Sequence, residues 1–600
     1  MPPSDVAPRP SRSLRRRRRW QDEIGAGSGS DGNAGPLVPG NVVGTKDGSA
    51  RAGGAPSLPV DAVTMNPLHA RQRNAMRVTL VQPAGFNFVP GQPDFSVLAN
   101  RLAPIGILSL ASWLEHHGHA VTVIDCLGPH APVGTAAHAE AVLASRPELV
   151  GFSSTTSGFM DALDIAEIVK ARAPAVRTIF GNVHASSIGA PLLRHFPEID
   201  YLCIGEGEGT LLDLAEGRPE PEIDNLVYRD GEGIVGNPRR ARIRHLDELP
   251  FPAFEKLAGF PRGYHLPLFS YEKRWGATMV TSRGCPYTCS FCDRTVFERL
   301  YRYNSAGYMI EHMRYLRDRF GVHHINFYDD LFTAHRGRVG EFCAGLIERP
   351  LGIDFNCAIR TGHTSLEQLK ALKQAGALMV SIGIESADPG MMARHKTGVT
   401  LDEVRETVDL IHRAGLRAKG LFIFGLPGET PETLRATSDF ILSLGLDEMN
   451  MTKFSPMYGA PIWDECGAGE SGDFNEDWRL MNCLNFVFRP SGFESRAQMD
   501  ALYNWHVRRF YDSRGYRRRF IGRLWQHRWS LWHLARNLPQ VLRAARYFSA
   551  SQNAAAPAAP HPRQPAGLQP TLGPELTAPS VVQVSPGHRA RGRRPLSAAA

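Results

Sequence analysis

Short apolar, β-branched runs alternate with amphipathic stretches between residues 77 and 207. RVTLVQP, AVTVID, LVGFSS, VRTIFGN and YLCIGEGE read as strands, and residues 104–117, 135–145, 160–173 and 187–195 as helices. Each strand-like run closes on Gly, Ser, Asn or Asp, as parallel strands do where they hand over to ligand-facing loops. The pattern predicts an α/β domain over residues 76–215, a five-stranded, doubly wound (Rossmann-like) sheet whose crevice lies outside the strand carboxyl ends. Residues 216–275 read as a linker, with the hairpin-like NLVYRDGEGIVGN and the proline-rich LPFPAF.

The alternation resumes at residue 276. ATMVTSRGC, INFYDD, DFNCAIR, MVSIGIES, RAKGLFIFG and EMNMTKFSP are strand-like, with helical patterns near residues 306–319, 336–348, 365–374, 401–414 and 431–444. Six β/α units without a seventh or eighth predict a partial (β/α)6 TIM-like barrel over 276–465, with its chemistry at the strand carboxyl ends. A helical, basic region follows over 466–548. Residues 1–75, rich in Gly, Pro, Ala, Ser and Arg, read as a disordered extension, and the Ala- and Pro-rich residues 549–600 as a disordered tail. Met76 opens the first strand-like run and is read as the natural start of translation.

Length excludes a single core: 600 residues call for more than one domain. No apolar run approaches the ~20 residues of a membrane span, and the arginines at 15–19 precede QDEIGAGSGS rather than an apolar signal core, so the reading is a cytoplasmic protein. The formal charge of +8 is owed to residues 508–546, which hold eleven arginines against the single acid Asp512, with Trp525, Trp529 and Trp532 among them. Such a segment suits an anionic membrane surface, which would make the protein peripheral there, or a basic helix packed on the barrel; nucleic-acid contact is unlikely.

The chemistry concentrates in RGCPYTCSFCD, where three of the nine cysteines, Cys285, Cys289 and Cys292, fall within eight residues at the end of the first barrel strand. Isolated odd cysteines are not a secreted disulfide framework. Plainer readings are three core cysteines or a zinc loop completed from afar, but there is no second CxxC. Three thiolates on one loop can hold three irons of a cubane and leave the fourth open.

The spacing CxxxCxxC resembles the defining motif of the radical S-adenosylmethionine (SAM) superfamily. That resemblance implies a [4Fe-4S] cluster on Cys285, Cys289 and Cys292, whose open iron chelates SAM and whose electron cleaves it to a deoxyadenosyl radical. It also implies SAM contacts from Phe291, beside the adenine, from Asp329 and Asp330 in FYDDLF, from Glu385 and Ser386 in IGIES, and from Gly425 in FGLPGET. The two aspartates read equally as a helix cap. Glu385 lies inside an apolar strand, where an unpaired carboxylate is costly.

The amino-terminal domain resembles the cobalamin-binding domain of one large branch of that superfamily. The resemblance rests on GFSSTT, GNVHAS and IGEGEGT, and implies cofactor contacts from Ser153, Ser154, Gly181, His184, Gly205, Glu206 and Gly207. The sequence departs at two points. Leu127 stands where DxHxxG would put an axial histidine after Asp125, and GNVH stands for GGxH. The architecture implies methyl transfer to an unactivated carbon of a small substrate, with a lipophilic one among the candidates and flavodoxin or ferredoxin as reductant. It also resembles anaerobic magnesium-protoporphyrin monomethyl ester cyclases and hopanoid-modifying enzymes, so oxidative cyclisation stays open as the alternative. A non-catalytic iron-sulfur or corrinoid sensor is disfavoured, since a sensor gains nothing from an open iron.

Overall fold

The computed structural model describes residues 75–85, 100–396, 398–543, 561–568 and 570. The expectations for residues 1–74, including an extension ahead of Met76, and for most of the tail beyond 548 lie outside the described residues.

The first sheet contains β1 (Arg77–Gln82), β2 (Ala120–Asp125), β3 (Leu149–Ser153), β4 (Arg177–Gly181), β5 (Tyr201–Cys203), β6 (Leu226–Asp230) and β7 (Gly233–Gly236). Its order is β2-β1-β3-β4-β5-β6-β7, with β1 to β5 parallel and β6 and β7 antiparallel at the edge. The near-continuous apolar strands are explained by burial of both faces. Val78, Leu80 and Leu149 join the core under the helix Ile105–His116, while Val81, Phe152 and Phe180 face the helix Thr156–Arg172. Chain order reverses between β1 and β3, which opens a crevice at their carboxyl ends. The sequence is corrected here in one respect: the hairpin assigned to the linker is part of this sheet, because Leu226, Val227 and Tyr228 are buried against β5.

The second sheet holds β8 (Gly276–Met279), β11 (His324–Phe327), β12 (Asp354–Ile359), β13 (Ala377–Glu385), β14 (Arg417–Phe424) and β15 (Glu448–Lys453), all parallel, in the order β15-β14-β13-β12-β11-β8. This is the six-unit partial barrel. Its helices begin and end where side chains demand: Ser305 caps Ala306–Phe320, Gly321 at φ 69° ends it, and Thr400 with Glu403 forms a capping box on Leu401–Arg413. A two-residue ladder, β9 (Ser282–Arg283) with β10 (Arg302–Tyr303), closes the loop that follows β8. The linker is no free tether, since Phe254, Leu257 and Tyr264 are part of the barrel core.

Beyond the barrel, β16 (Gly472–Phe474) pairs with β17 (Phe488–Pro490), and the helix Arg496–Tyr511 lies on the barrel through Met499 and Phe510. The basic segment is anchored to the barrel at a few points and otherwise exposed. Arg523 pairs with Asp447, Arg519 donates to the Leu446 carbonyl (2.7 Å), and the Arg274 guanidinium lies 4.1 Å and 4.6 Å from the ring centres of Trp529 and Trp532. Trp525, by contrast, is 79% exposed. Within the stretch expected to be a disordered tail, residues 561–568 are seated on the first domain. Arg563 reaches Glu167 and Glu198, each at 2.6 Å, Gln564 accepts the Trp478 N–H at 3.0 Å, and Leu568 is buried.

Candidate active site

Asp329, at the end of β11, accepts both the N–H (2.5 Å) and the hydroxyl (2.6 Å) of Thr281 and is backed by Arg338 at 3.5 Å. This buried carboxylate therefore clamps the chain leaving β8, with each oxygen already bonded within the protein. Gly284 follows at φ 84°, and a Cβ there would lie 2.3 Å from the Leu300 carbonyl oxygen, so only glycine lets the loop close over itself.

The three cysteines come next, on a loop held by backbone-directed bonds. Arg294 donates to the Tyr287 carbonyl (2.8 Å), and Arg299 donates to that of Pro286 (3.1 Å). Asp293 accepts from Thr295, from the Ser187 hydroxyl (3.0 Å) and from the Gly459 N–H (3.2 Å), tying the loop to the first domain and to the chain after β15. Cys285, Cys289 and Cys292 are half-buried free thiols, whereas the other described cysteines are buried except Cys483. Burial, reinforced by Asp330, pushes the Cys285 thiol up and lifts Cys292 to about 12, so iron must displace protons on binding. Among the described residues no three His, Cys, Asp or Glu side chains converge on one ion.

Asp330 faces this loop and receives the Gly284 N–H; burial and Asp329 raise its pKa. Phe291 packs beside Met391, Leu426 and Phe454. Glu385 sits at φ 68° on a bulge of β13, its carboxylate 3.1 Å from the Lys396 ammonium, a partner that no motif announced. Ser386 is buried and accepts the Asp388 N–H at 3.2 Å, which makes it a turn residue. The Gly425 N–H donates to buried Glu429 at 2.6 Å.

Between the two domains lies a cavity of about 340 Å³. Ser153, Gly181, Gly205, Glu206 and Gly207 line it from the strand ends of the first sheet, and Val280, Ser282 and Arg283 from the base of the cysteine loop. One wall group, the His312 Nε2, is buried without a hydrogen-bond partner. An orphaned polar atom on a wall that mixes apolar with polar side chains fits a large ligand whose rim carries amides, which is what a corrinoid presents.

Ser154 and His184 do not line this cavity. Ser154 is fully buried. His184 bonds the Thr156 hydroxyl (3.2 Å) and stands edge-on to Trp478, with burial lowering it to about 3, so it is a neutral core residue. The loop where an axial histidine was missed is pinned instead, as Asp125 accepts the Tyr264 hydroxyl at 2.9 Å. Glu206 reaches the wall, but its carboxylate is taken by Arg283 and Arg302. Sequence reading passed over both arginines; the signal was two charges flanking a loop within otherwise buried chain.

Two family models match: the radical SAM superfamily over residues 279–441 and the B12 binding domain over residues 92–215. An uncharacterised methyltransferase of Pyrococcus horikoshii is 30% identical over 65% of this chain and 84% of its own length. The anaerobic magnesium-protoporphyrin IX monomethyl ester cyclase of Rubrivivax gelatinosus is 24% identical over 74% of this chain and 78% of its own. The solved structure of the radical SAM methyltransferase TsrM from Kitasatospora setae, with cobalamin and a [4Fe-4S] cluster bound, shares the fold at a TM-score of 0.54 and 20% identity, covering 72% of this chain and 82% of that one. With its thiol loop and strand-end cavity facing each other, this chain belongs to the radical SAM superfamily, as a radical SAM enzyme whose cofactors are a [4Fe-4S] cluster, SAM and cobalamin.

Proposed function

We propose that the protein methylates an unactivated carbon of a small molecule at the junction of its two domains. One observation carries the reading: Ser282 and Arg283, immediately before the three cysteines, are also a wall of the cavity formed by the strand ends of the first sheet. When bound, the cluster and SAM supply a carbon-centred radical and the corrinoid supplies a methyl group. The protein's part is to hold and orient: Cys285, Cys289 and Cys292 on one loop, Glu385 paired with Lys396, and a largely enclosed cavity that excludes water. Phe291, Asp330 and Gly425 are proposed as the further SAM contacts, and Ser153, Gly181, Gly205 and Gly207 as the corrinoid contacts. With Leu127 in place of a histidine and Asp125 tied to Tyr264, this loop would offer a bound corrinoid no protein imidazole for its cobalt.

The test is anaerobic incubation of reconstituted protein with SAM and dithionite, reading deoxyadenosine, demethylated SAM and the corrinoid spectrum together. Both SAM products are expected. Deoxyadenosine without demethylated SAM would favour oxidative cyclisation, the activity named for the Rubrivivax relative. Nitrogen hyperfine coupling from a protein imidazole in cob(II)alamin would overturn the ligation claim.

Two partners are part of the proposal. Arg294, Arg299 and Arg336 surround the outer side of the cysteine loop, and among the described residues none is within 4 Å of a carboxylate, which suits an acidic reductant such as flavodoxin or ferredoxin. No described helix is long and apolar enough to cross a membrane. Trp525, with Ile521 (69% exposed) and Leu538 (51% exposed) among the arginines, would instead rest on an anionic lipid surface, where lipophilic substrates collect. Cosedimentation with anionic vesicles at low salt, lost in Trp525→Ala, is the expected result; no cosedimentation would remove the argument for a lipid substrate.

A further inference from the structure

Glu206 stands at the carboxyl end of β5, on the cavity wall, yet every strong contact of its carboxylate is with the base of the cysteine loop. One oxygen accepts from Arg283 (2.6 Å) and Arg302 (3.0 Å), and the other from Arg302 (2.9 Å). Glu208, two residues on, accepts the second arm of Arg283 at 2.6 Å. These side chains are 4% to 12% exposed.

Arg283 and Arg302 are register partners across the β9–β10 ladder. Two guanidinium groups directly opposite on adjacent strands repel, so the ladder that closes the cysteine loop depends on a carboxylate lying between them. Glu206 is that carboxylate. Burial opposes its charge, yet Arg283 and Arg302 hold it below the usual carboxylate range. The same residue thus shapes the cavity and fastens the loop.

We infer that Glu206 is a positioning residue that couples the strand-end cavity to the cysteine loop, so that filling one site strengthens the other. The inference rests on the cofactor assignment above. Coupling of this kind is reciprocal, and it is lost when the shared element is cut.

The experiment titrates hydroxocobalamin into the anaerobic full-length protein before and after cluster reconstitution, without substrate. In the wild type, reconstitution is expected to tighten corrinoid binding ~10-fold. In Glu206→Gln the two affinities should coincide, although the variant folds and loads iron. Asp213→Asn, which removes a partner of Arg240 away from the loop, should keep the wild-type coupling. Undiminished coupling in Glu206→Gln, or none in the wild type, overturns the inference. If the wild type takes up no hydroxocobalamin, the cofactor assignment fails, and Glu206 is judged by a second readout, the rate at which a chelator strips iron from the loop. That rate should rise in Glu206→Gln, and an unchanged rate overturns the inference. Should Glu206→Gln not fold, Glu206→Asp, which keeps the charge but retracts it by one methylene, should show weakened coupling; full coupling there overturns it.

Discussion

The Arg360 guanidinium lies 3.7 Å from the centre of the Tyr287 ring, and the Tyr287 hydroxyl meets His363 Nε2 at 3.0 Å. Tyr287 sits between Cys285 and Cys289, so both contacts hold the thiols in place from outside. A stacked cation of this kind contributes ~0.5–2 kcal/mol. Tyr287→Ala is expected to lower thermal stability by about that amount and to speed iron loss to a chelator. Tyr287→Phe keeps the ring and should stay near wild type. Equal iron loss in all three proteins would show that the stack does not hold the loop.

Only the three motif cysteines should carry iron. Alanine at Cys285, Cys289 and Cys292 together is expected to abolish iron binding and deoxyadenosine formation. Cys357→Ala, in buried β12, should retain both. Iron and sulfide content per chain checks this, and a full cluster in the triple variant would contradict it.

Glu429 is fully enclosed, and burial lifts its pKa to about 8 from an ordinary 4.5. A carboxyl raised in the folded state binds its proton more tightly there than in the unfolded chain. Its contribution to stability is therefore greatest below about 4.5 and falls as pH rises through the window from about 4.5 to about 8, then levels. Glu429→Gln, which can still accept the Gly425 N–H, should match wild type at pH 5 and melt higher at pH 8. Parallel melting curves across that range would refute it.

Residues 561–568 should contribute to stability despite their surroundings in sequence. Arg563→Ala loses its pairs with Glu167 and Glu198, worth ~1 kcal/mol for partly exposed partners. A chain ending at residue 553 also loses the Leu568 and Gln564 contacts and should melt lower still. Identical melting of the truncated and full chains would mean the docking is energetically idle.

Much of this was legible because it is periodic. Strand runs closing on small polar residues located the parallel strands of both sheets, and CxxxCxxC located the cluster loop, since its chemistry needs those thiols at that spacing. What failed was pairing. Asp329 read as a ligand or a helix cap because it stands at a strand end, and no local pattern announced its bonds to Thr281, far away in sequence. His184 was expected at the cofactor because it follows a strand end, yet the helix Asn182–Ile188 turns it inward against Trp478. Arg519 and Arg523 belong to a segment that read either as lipid-facing or as packed on the barrel, and their counter-charge is Asp447, which no local pattern links to them. Each is a long-range partner, and periodicity reports only which face a residue occupies.

The hairpin β6–β7 bears on where this architecture can be divided. A fragment ending at residue 215 would strip the antiparallel neighbour from β5 and leave the backbone of Tyr201, Leu202 and Cys203 as a bare edge, an invitation to sheet-to-sheet aggregation. The piece that can be transplanted, by an engineer or by recombination between genes, runs to Gly236. Yet Glu206 travels inside that piece while Arg283 and Arg302 stay behind. A graft of this domain onto a foreign barrel therefore carries an orphan acid unless the recipient brings its own pair of arginines.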